Sequence, residues 1–293
     1  MKTRLNVAGV LASWLVTVLA TTLATVLATT SVLSAQWPPY VPSPVPTTRA
    51  GEPNLKAPAP RTADGKPDLS GVWENGSPSR STGSISGTGG APALSGAPPG
   101  PLTQFFDIGT KVPGGLPFQP WAAELRKKRM SNGAADNPDA ACLPMGNMQF
   151  HTHPQPRKII QTPKVVVILY EGNAGIRQIF TDGRRLPTDD PQPWWYGYSV
   201  GRWEKDTLIV ESTGFREDGW LDVNGSPFTE AGKMVERFRR PSFGTLEIEV
   251  TVEDLKAYTK PWTVLLTQQL MPDGELIEFV CNENEKSLKY FQK

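Results

Sequence analysis

The chain has 293 residues, and its 30 lysine and arginine residues nearly balance its 29 aspartate and glutamate residues. This near-neutral charge excludes the basic footprint of a nucleic-acid-binding protein, and it provides no electrostatic attraction to an anionic membrane surface. The sequence also lacks a Gly-x-Ser-x-Gly elbow, a phosphate-binding loop, a dinucleotide fingerprint and a His-Glu-x-x-His motif, so those enzyme classes lose support.

The N-terminus has the layout of a secretory signal peptide. Lys2 and Arg4 form a short positive region, an apolar and threonine-rich stretch follows over residues 7–32, and the segment ends at Ala35. We therefore predict a signal peptide over residues 1–35 and a periplasmic or extracellular protein. The apolar stretch is about 25 residues long, which is enough to span a bilayer. An uncleaved anchor is thus the alternative, and only then do we expect the membrane to be a partner.

Composition divides the rest of the chain into three parts. Residues 36–66 contain eight prolines and few large apolar side chains, which predicts an extended tether. Residues 75–103 are mostly Gly, Ser, Pro, Ala and Thr, and we predict a mobile insert because they bury too little apolar area to offset their ordering entropy. The insert interrupts a single β-barrel domain over residues 67–293. Within that domain, Pro120 followed by helix formers at residues 121–130 predicts one short helix.

Short strand patterns separated by turn signals dominate the second half of the chain. They predict about nine strands, many joined by tight hairpins. The predicted strands are residues 158–162, 164–171, 176–181, 194–203, 207–212, 233–240, 245–252, 262–271 and 275–281, with a further short strand at 68–73. Closing such a sheet removes its exposed edges, so we predict an all-β, antiparallel up-and-down barrel. A two-sheet sandwich is the alternative.

Two cysteines, Cys142 and Cys281, are present in a chain predicted to enter an oxidising compartment. The simplest prediction is one disulfide between them. It closes a loop of about 140 residues, which on the chain-entropy model stabilises the fold by at most about 4–5 kcal/mol. Two buried free thiols, or a catalytic cysteine paired with His151, are the alternatives.

A tripeptide in the first predicted strand is similar to a known signature. Gly71-Val72-Trp73 resembles the Gly-x-Trp motif of the lipocalins, a calycin family, where the tryptophan plugs one end of the barrel. The resemblance implies a calycin-like barrel with Trp73 at one end. It concerns the architecture alone.

Four longer segments share the pattern of one protein family. They are residues 201–215 (GRWEKDTLIVESTGF), 179–184 (IFTDGR), 258–263 (YTKPWT) and 279–284 (FVCNEN). With them the chain resembles an uncharacterised family of secreted proteins from environmental bacteria, over residues 67–285. The resemblance implies secretion and a shared fold, and it transfers no catalytic residue.

Charged residues lie among apolar ones on the same faces of several predicted strands. A charge with apolar same-face neighbours is costly to bury unless it is paired. We predict that these residues point into a partly polar barrel cavity and anchor a ligand through Arg–Glu pairs. The alternative is that their faces form the solvated exterior. The residues are Arg177, Glu211, Glu236 and Glu278.

His151 and His153 are the only histidines of the chain, in a segment predicted to be a loop. At i and i+2 of an extended segment, both imidazoles point to one side and face one metal ion. The cupin pattern that begins this way also needs a nearby Glu and a third His, whereas Gln155, Pro156 and Arg157 follow here. We predict no metal and no cofactor. A histidine acting as general base and two incidental surface histidines are the remaining alternatives.

A loop dense in charge and aromatic area lies between two predicted strands. It contains Asp182 and Arg184, followed by Trp194, Trp195 and Tyr196. Aromatic rings beside arginines suit a ligand with a ring or sugar face and an anionic or carbonyl group. The alternative is that the tryptophans cap the barrel while Arg184 pairs with a neighbouring acid.

Three functional hypotheses follow from these patterns. The first is a secreted small-molecule-binding protein. The second is a cofactor-independent lyase, isomerase or hydrolase, in which His151 or His153 moves a proton and Arg184 holds an anionic oxygen. The third is a cell-envelope interaction module that uses the proline-rich tether. A histidine inside the barrel mouth, within hydrogen-bond reach of an acid or arginine, favours the enzyme over the binding protein, whereas two surface histidines disfavour it.

Overall fold

The computed structural model describes residues 45–75, 103–188 and 192–283. The predicted signal peptide at residues 1–35 lies outside this part of the chain. So does the predicted insert at residues 75–103, apart from its two end residues.

Nine β-strands form a closed barrel in the described residues. Each strand pairs with the next one along the chain, and β9 pairs with β1 to close the sheet. This arrangement confirms the predicted all-β barrel and excludes the two-sheet sandwich. The strands are β1 (Gly71–Asn75), β2 (Arg157–Gln161), β3 (Val165–Tyr170), β4 (Gly175–Phe180), β5 (Tyr198–Glu204), β6 (Thr207–Thr213), β7 (Lys233–Ser242), β8 (Thr245–Glu253) and β9 (Trp262–Leu270).

The pairing of β4 with β5 differs from the rest of the barrel. These strands run parallel and share two residue pairs, Ile179–Ser199 and Phe180–Val200, whereas β3 and β4 are antiparallel and share six. A parallel pair requires the connection to cross back along the sheet before the second strand begins. The predicted up-and-down meander is therefore interrupted once. We call this weakly paired region the seam.

Three α-helices accompany the barrel in the described residues. They are α1 (Thr103–Phe106), α2 (Pro120–Ser131) and α3 (Asn147–Thr152). Helix α2 is the predicted short helix, and it begins at the proline whose fixed φ suits the first helical position.

Helix α3 corrects the prediction of a loop between residues 134 and 156. All six of its residues are buried. Its sequence, NMQFHT, has no apolar stripe and few strong helix formers, so local pattern does not indicate a helix. Tertiary burial stabilises it instead, since isolated helices of this length are not stable in water.

Trp73, in the middle of β1, is a buried element of the barrel core. Its side chain is fully buried, and the indole N–H donates to the Leu69 carbonyl at 3.0 Å. The Arg240 guanidinium lies 4.8 Å from the ring centroid and donates to the Asp68 and Phe243 carbonyls. The indole thus has its polar atom satisfied and a cation on its face, so it is a stable element of the core.

The described part of the predicted tether, residues 45–66, packs against the barrel. The carbonyls of Leu55 and Ala57 accept hydrogen bonds from the backbone N–H groups of Gly244 and Phe243, at 2.8 and 2.7 Å. These hydrogen bonds hold the segment against the β7–β8 turn, although the segment contains few large apolar side chains. These residues therefore contact the barrel, and they lend no support to the envelope-interaction hypothesis.

The predicted strand at residues 275–281 does not form. The segment after β9 is irregular, and the backbone N–H of Ile277 donates to the Glu171 carboxylate at 3.0 Å. A hairpin partner needs a free edge on β9, but β8 occupies one edge and β1 the other. Closure of the barrel thus leaves no position for a tenth strand.

A disulfide joins Cys142 to Cys281, with an S–S distance of 2.11 Å. It confirms the predicted bond, so the free-thiol and catalytic-cysteine alternatives are wrong. A structural disulfide fits a protein that folds outside the cytoplasm. Within the described residues, no helix combines the length and apolar character needed to cross a bilayer.

Candidate functional site

A group of polar side chains lies inside the barrel and is almost fully buried. The Glu236 carboxylate receives hydrogen bonds from Arg177 (2.9 Å for one of them) and lies 2.6 Å from Nε2 of His151. The Arg177 guanidinium also donates to the hydroxyls of Ser199 and Ser212, at 3.1 Å each. None of these five residues is more than 1% exposed. We call them the buried ionic cluster.

Helix α3 brings His151 to this cluster by running alongside β7. Asn147 and His151, at i and i+4, lie on one helical face. They contact Met234 and Glu236, which are at i and i+2 and share the inner face of β7. Four helical residues rise about 6 Å and two strand residues about 7 Å, so the two spacings match.

Electrostatics keep the cluster neutral overall. Burial opposes the charge of Glu236, but Arg177 and His151 offset it and lower the pKa of this carboxyl to about 2. The same carboxylate raises the pKa of Arg177 despite burial. For His151, burial outweighs the attraction to Glu236 and lowers the pKa, so the imidazole is neutral at neutral pH. Its Nε2 therefore carries the proton and donates to the carboxylate.

A second buried arginine, Arg157, holds the end of α3. Its guanidinium donates to the carbonyls of His151, His153 and Gln155, at 2.7 to 3.0 Å. Burial lowers its pKa to about 10. The charge of Glu74 acts in the opposite direction but does not offset burial. The last carbonyls of a helix have no hydrogen-bond donors within the helix, and a nearby cation stabilises them. This explains why the Arg157 guanidinium lies at the C-terminal end of α3.

The inward polar residues thus have a structural explanation. Helix α3 packs beside Glu236 inside the barrel. The polar side chains form hydrogen bonds with the backbone carbonyls of α3 and with the imidazole of His151. Gln268 adds a further hydrogen bond to the His151 carbonyl at 3.1 Å. Helix α3 thus packs next to Glu236, in the region where the ligand cavity was predicted, and Arg177 in addition lines a cleft described below.

We expect substitution of Arg157 by methionine to lower the free energy of unfolding by about 3 kcal/mol or more. The change leaves buried carbonyls without donors, and each unsatisfied buried acceptor costs about 1–3 kcal/mol. Denaturant unfolding measures the loss. Arg237→Met is the matched control, since Arg237 is 46% exposed in a loose pair with Glu249, and we expect a loss below about 1 kcal/mol there. Equal losses in both variants would contradict the role given to Arg157.

Four buried polar atoms, three in α3 and one in Gln268, have no hydrogen-bond partner among the described residues. They are Asn147 Oδ1, Gln149 Oε1, His151 Nδ1 and Gln268 Oε1. Because Nε2 of His151 donates to Glu236, its Nδ1 is an acceptor, which is the form a general base requires. The rings of Phe238 and Tyr170 lie beside this histidine, with centroids 5.9 and 6.3 Å from that of the imidazole, and Phe150 stacks on Tyr170 at 4.5 Å.

A cleft of about 310 Å³ lies at the seam, and its lining joins the exposed outer face of β4 at Ile176 to Arg177 of the buried ionic cluster. Trp194 is 49% exposed, and the Arg216 guanidinium lies 4.8 Å from the ring centroid of Trp195. We call it the seam cleft. Its lining consists of Ile176, Arg177, Gln178, Pro193, Trp194, Trp195, Tyr196, Gly197 and Arg216.

The backbone fixes the aromatic wall of the seam cleft. The N–H of Trp194 donates to the Gly214 carbonyl at 2.8 Å, and its carbonyl accepts from Arg216 at 3.0 Å. Gly197 has a φ of +64°, and a Cβ there would lie 2.7 Å from the Phe215 ring. Glycine is therefore required at this turn, and the turn presents the tryptophans outward.

A second cleft, of about 410 Å³, lies further along the outer face of β5. We call it the arginine cleft. Arg184 pairs with Asp182 at 2.6 Å, and Arg202 pairs with Glu204 at 3.1 Å and with Glu211. Its lining consists of Gly183, Arg184, Arg185, Leu186, Val200, Gly201, Arg202 and Glu211.

The structure brings some of the predicted site residues together and separates others. His151, Arg177 and Glu236 meet in the buried ionic cluster. His153 is buried nearby, where burial lowers its pKa to about 3, and it contacts the ring of Phe105 at 5.0 Å. Arg184 lies outside the barrel, so the predicted catalytic group of two histidines and this arginine is not assembled.

Two of the predicted cavity residues face outward. Glu211 is 41% exposed, and its partner in the sheet is Val235, so it lies on the face opposite Glu236. Glu278 is exposed in the irregular segment after β9. Neither points into the barrel, and both predictions are corrected.

Several residues of these sites lack a signal in the sequence. Ser199 and Ser212 are small and common in strands, and Arg157 lies between the predicted loop, which ends at residue 156, and the predicted strand, which begins at residue 158. Arg216 follows the segment GRWEKDTLIVESTGF directly, and its proximity to the tryptophans depends on the crossing at the seam.

Neither a metal site nor a related protein identifies the chemistry. Across the described residues, no three His, Cys, Asp or Glu side chains are grouped so as to hold a metal ion. Comparison of the chain with protein-family models, curated proteins and solved structures gives no match. Function is therefore inferred from the geometry of the described residues.

Proposed function

We propose that the protein is a periplasmic or extracellular small-molecule-binding protein and that its ligand lies in the seam cleft. The observation that carries the proposal is this cleft of about 310 Å³ walled by Trp194, Trp195 and Tyr196. Ligand sites combine aromatic walls with a few polar groups that fix orientation. Here Arg216 and Gln178 supply those polar groups.

Exposure of the aromatic wall supports the proposal. A half-exposed tryptophan leaves a large apolar surface in water, and covering that surface with a ligand ring is favourable. The indole of Trp194 is 49% exposed and lies 5.6 Å from the ring of Tyr198. A flat ligand inserted along this wall gains contact area without moving the backbone.

We expect Trp194→Ala to weaken ligand binding by about tenfold or more, which corresponds to about 1.4 kcal/mol. The measurement is a thermal-shift screen of wild-type protein across a broad metabolite panel, followed by titration of each hit. Trp121→Ala is the matched control, because Trp121 is 48% exposed but lies on α2. Its affinity is expected to equal that of wild type. Absence of any hit, together with no retained ligand in the purified protein, would overturn the proposal.

A second candidate is acid–base catalysis at His151, as a lyase, isomerase or hydrolase. The observation in its favour is that His151 lies inside the barrel, 2.6 Å from Glu236, with Nδ1 unpartnered among the described residues. A carboxylate that orients a histidine in this way is a recurrent catalytic arrangement. The imidazole is only 1% exposed, so a substrate reaches it only if the aromatic rings beside it move.

Reaction with diethyl pyrocarbonate distinguishes the two candidates. The reagent acylates accessible, neutral imidazoles, and both histidines of this chain are buried. We expect no modification of native protein at neutral pH within the time that denatured protein reacts completely, as read by peptide mass spectrometry. Rapid modification of His151 in the native state would instead favour the enzyme.

A further inference from the structure

The two clefts lie on one outer face and are separated by an aromatic ridge. The ring of Tyr198 stacks with Phe180 at 5.4 Å and contacts Trp194 at 5.6 Å. Gly197, before Tyr198, lines the seam cleft, and Gly201 lines the arginine cleft. At the usual strand rise these two glycines are about 13 Å apart. An elongated ligand is therefore able to contact both clefts across the ridge.

Three arginines at the two clefts, Arg216, Arg184 and Arg202, are paired with carboxylates. Arg216 pairs with Asp218 at 2.6 Å and Arg184 with Asp182 at 2.6 Å. Arg202 is shared between Glu204 and Glu211. Each pair presents hydrogen-bond donors and acceptors side by side and nearly cancels in charge. Arg185 adds one positive charge that forms no ion pair among the described residues.

This pattern discriminates between ligand classes. A phosphate or sulfate needs donors and uncompensated positive charge, whereas the carboxylates at Asp182, Asp218 and Glu211 repel it. A sugar hydroxyl both donates and accepts, so it pairs with an arginine and its carboxylate together. The apolar face of a sugar ring also packs on exposed aromatic rings, which the ridge provides.

We propose that the ligand is an uncharged oligosaccharide that spans the seam cleft and the arginine cleft over the Tyr198 ridge. This inference rests on the proposed binding function and names its ligand class. The aromatic rings of Trp194 and Tyr198 contact the sugar faces. The paired side chains of Arg216, Arg184 and Arg202 bind the hydroxyls.

Calorimetric titration with four probes tests the inference: a neutral monosaccharide mixture, a neutral di- and trisaccharide mixture, a uronic-acid-containing oligosaccharide mixture, and inorganic phosphate. We expect the neutral oligosaccharides to bind at least tenfold more tightly than the monosaccharides. Inorganic phosphate is expected neither to bind nor to compete. Tighter binding of the acidic oligosaccharides or of phosphate would overturn the assignment of an uncharged ligand.

Two variants with matched controls locate the ligand. Arg202→Ala is expected to weaken oligosaccharide binding at least fivefold, while Arg239→Ala, an equally exposed arginine in a pair with Glu247, leaves it unchanged. Tyr198→Phe keeps the aromatic ring, and we expect it to retain oligosaccharide binding. Tyr198→Ala removes the ring, and we expect it to lose oligosaccharide binding. The melting temperature and the circular dichroism spectrum show that the Tyr198→Ala variant is folded.

The outcomes separate this inference from the proposal on which it rests. If a non-carbohydrate ligand binds and Trp194→Ala weakens it while Arg202→Ala does not, the oligosaccharide inference fails and small-molecule binding stands. If oligosaccharides bind no better than monosaccharides, the two-cleft assignment fails. If no probe and no metabolite binds, both are overturned.

Discussion

Substitution of Glu236 by glutamine is expected to lower the free energy of unfolding by about 3–5 kcal/mol, the usual loss when one partner of a buried ion pair is removed. The change leaves the Arg177 guanidinium inside the barrel without its counter-charge, because the remaining partners, Ser199 and Ser212, are neutral hydroxyls. It also removes the carboxylate that accepts the hydrogen bond from Nε2 of His151. Denaturant unfolding at neutral pH measures the loss.

The neighbouring hairpin supplies the control for this variant. Glu249 pairs loosely with Arg237 at 3.7 Å on the outer face of β7 and β8, and both side chains are about half exposed. We expect Glu249→Gln to cost less than about 1 kcal/mol. The double variant Arg177→Met with Glu236→Leu removes both charges, and we expect it to be more stable than Glu236→Gln. A double variant that is less stable would contradict the account of an uncompensated buried charge.

Stability is expected to fall as the pH is lowered from 7 to 5, because both histidines of the chain are buried in their neutral form. Burial lowers the pKa of His153 to about 3, whereas the unfolded chain binds a proton at about 6.5. The stabilisation from this depressed pKa is complete above pH 6.5 and is lost as the pH falls toward 3. For His153 alone the loss between pH 7 and pH 5 is about 2 kcal/mol, and His151 adds to it in the same direction.

The contribution of His153 is obtained by comparing how the free energy of unfolding changes with pH in wild-type protein and in a His153 variant. Denaturant unfolding of wild-type protein and of His153→Asn at pH 7, 6 and 5 gives each slope independently of the absolute stability. We expect the variant to have the shallower slope. Burial raises the pKa of Asp222, which acts in the opposite sense but equally in both proteins. A wild-type stability that is constant or rises toward pH 5 would contradict the burial of neutral histidines.

Alternation along the strands predicted part of the interior correctly. Arg177 and Glu236 lie on apolar faces of β4 and β7, and the structure pairs them inside the barrel. The same rule failed for Glu211, because alternation gives the two faces of a strand but does not say which face is inside. The register supplies the answer, since Ser212 and Val210 pair with Met234 and Glu236.

Other features depend on long-range packing that local pattern does not contain. Helix α3 forms because barrel side chains satisfy its backbone, so NMQFHT alone does not predict it. Alternation predicts a strand around Glu278, but this segment has no free sheet edge to join once β1 has paired with β9. The seam cleft was anticipated as an aromatic group at Trp194–Tyr196, but its polar partner, Arg216, comes from a loop after β6.

Native mass spectrometry tests the binding of a small molecule in the seam cleft most directly. The protein is purified from its native host without denaturation, in parallel as wild type, Trp194→Ala and Trp121→Ala. We predict an additional small-molecule mass on wild type and on Trp121→Ala, and its loss from Trp194→Ala. No bound mass on any of the three, or the same mass on all three, would contradict a ligand site at the seam cleft.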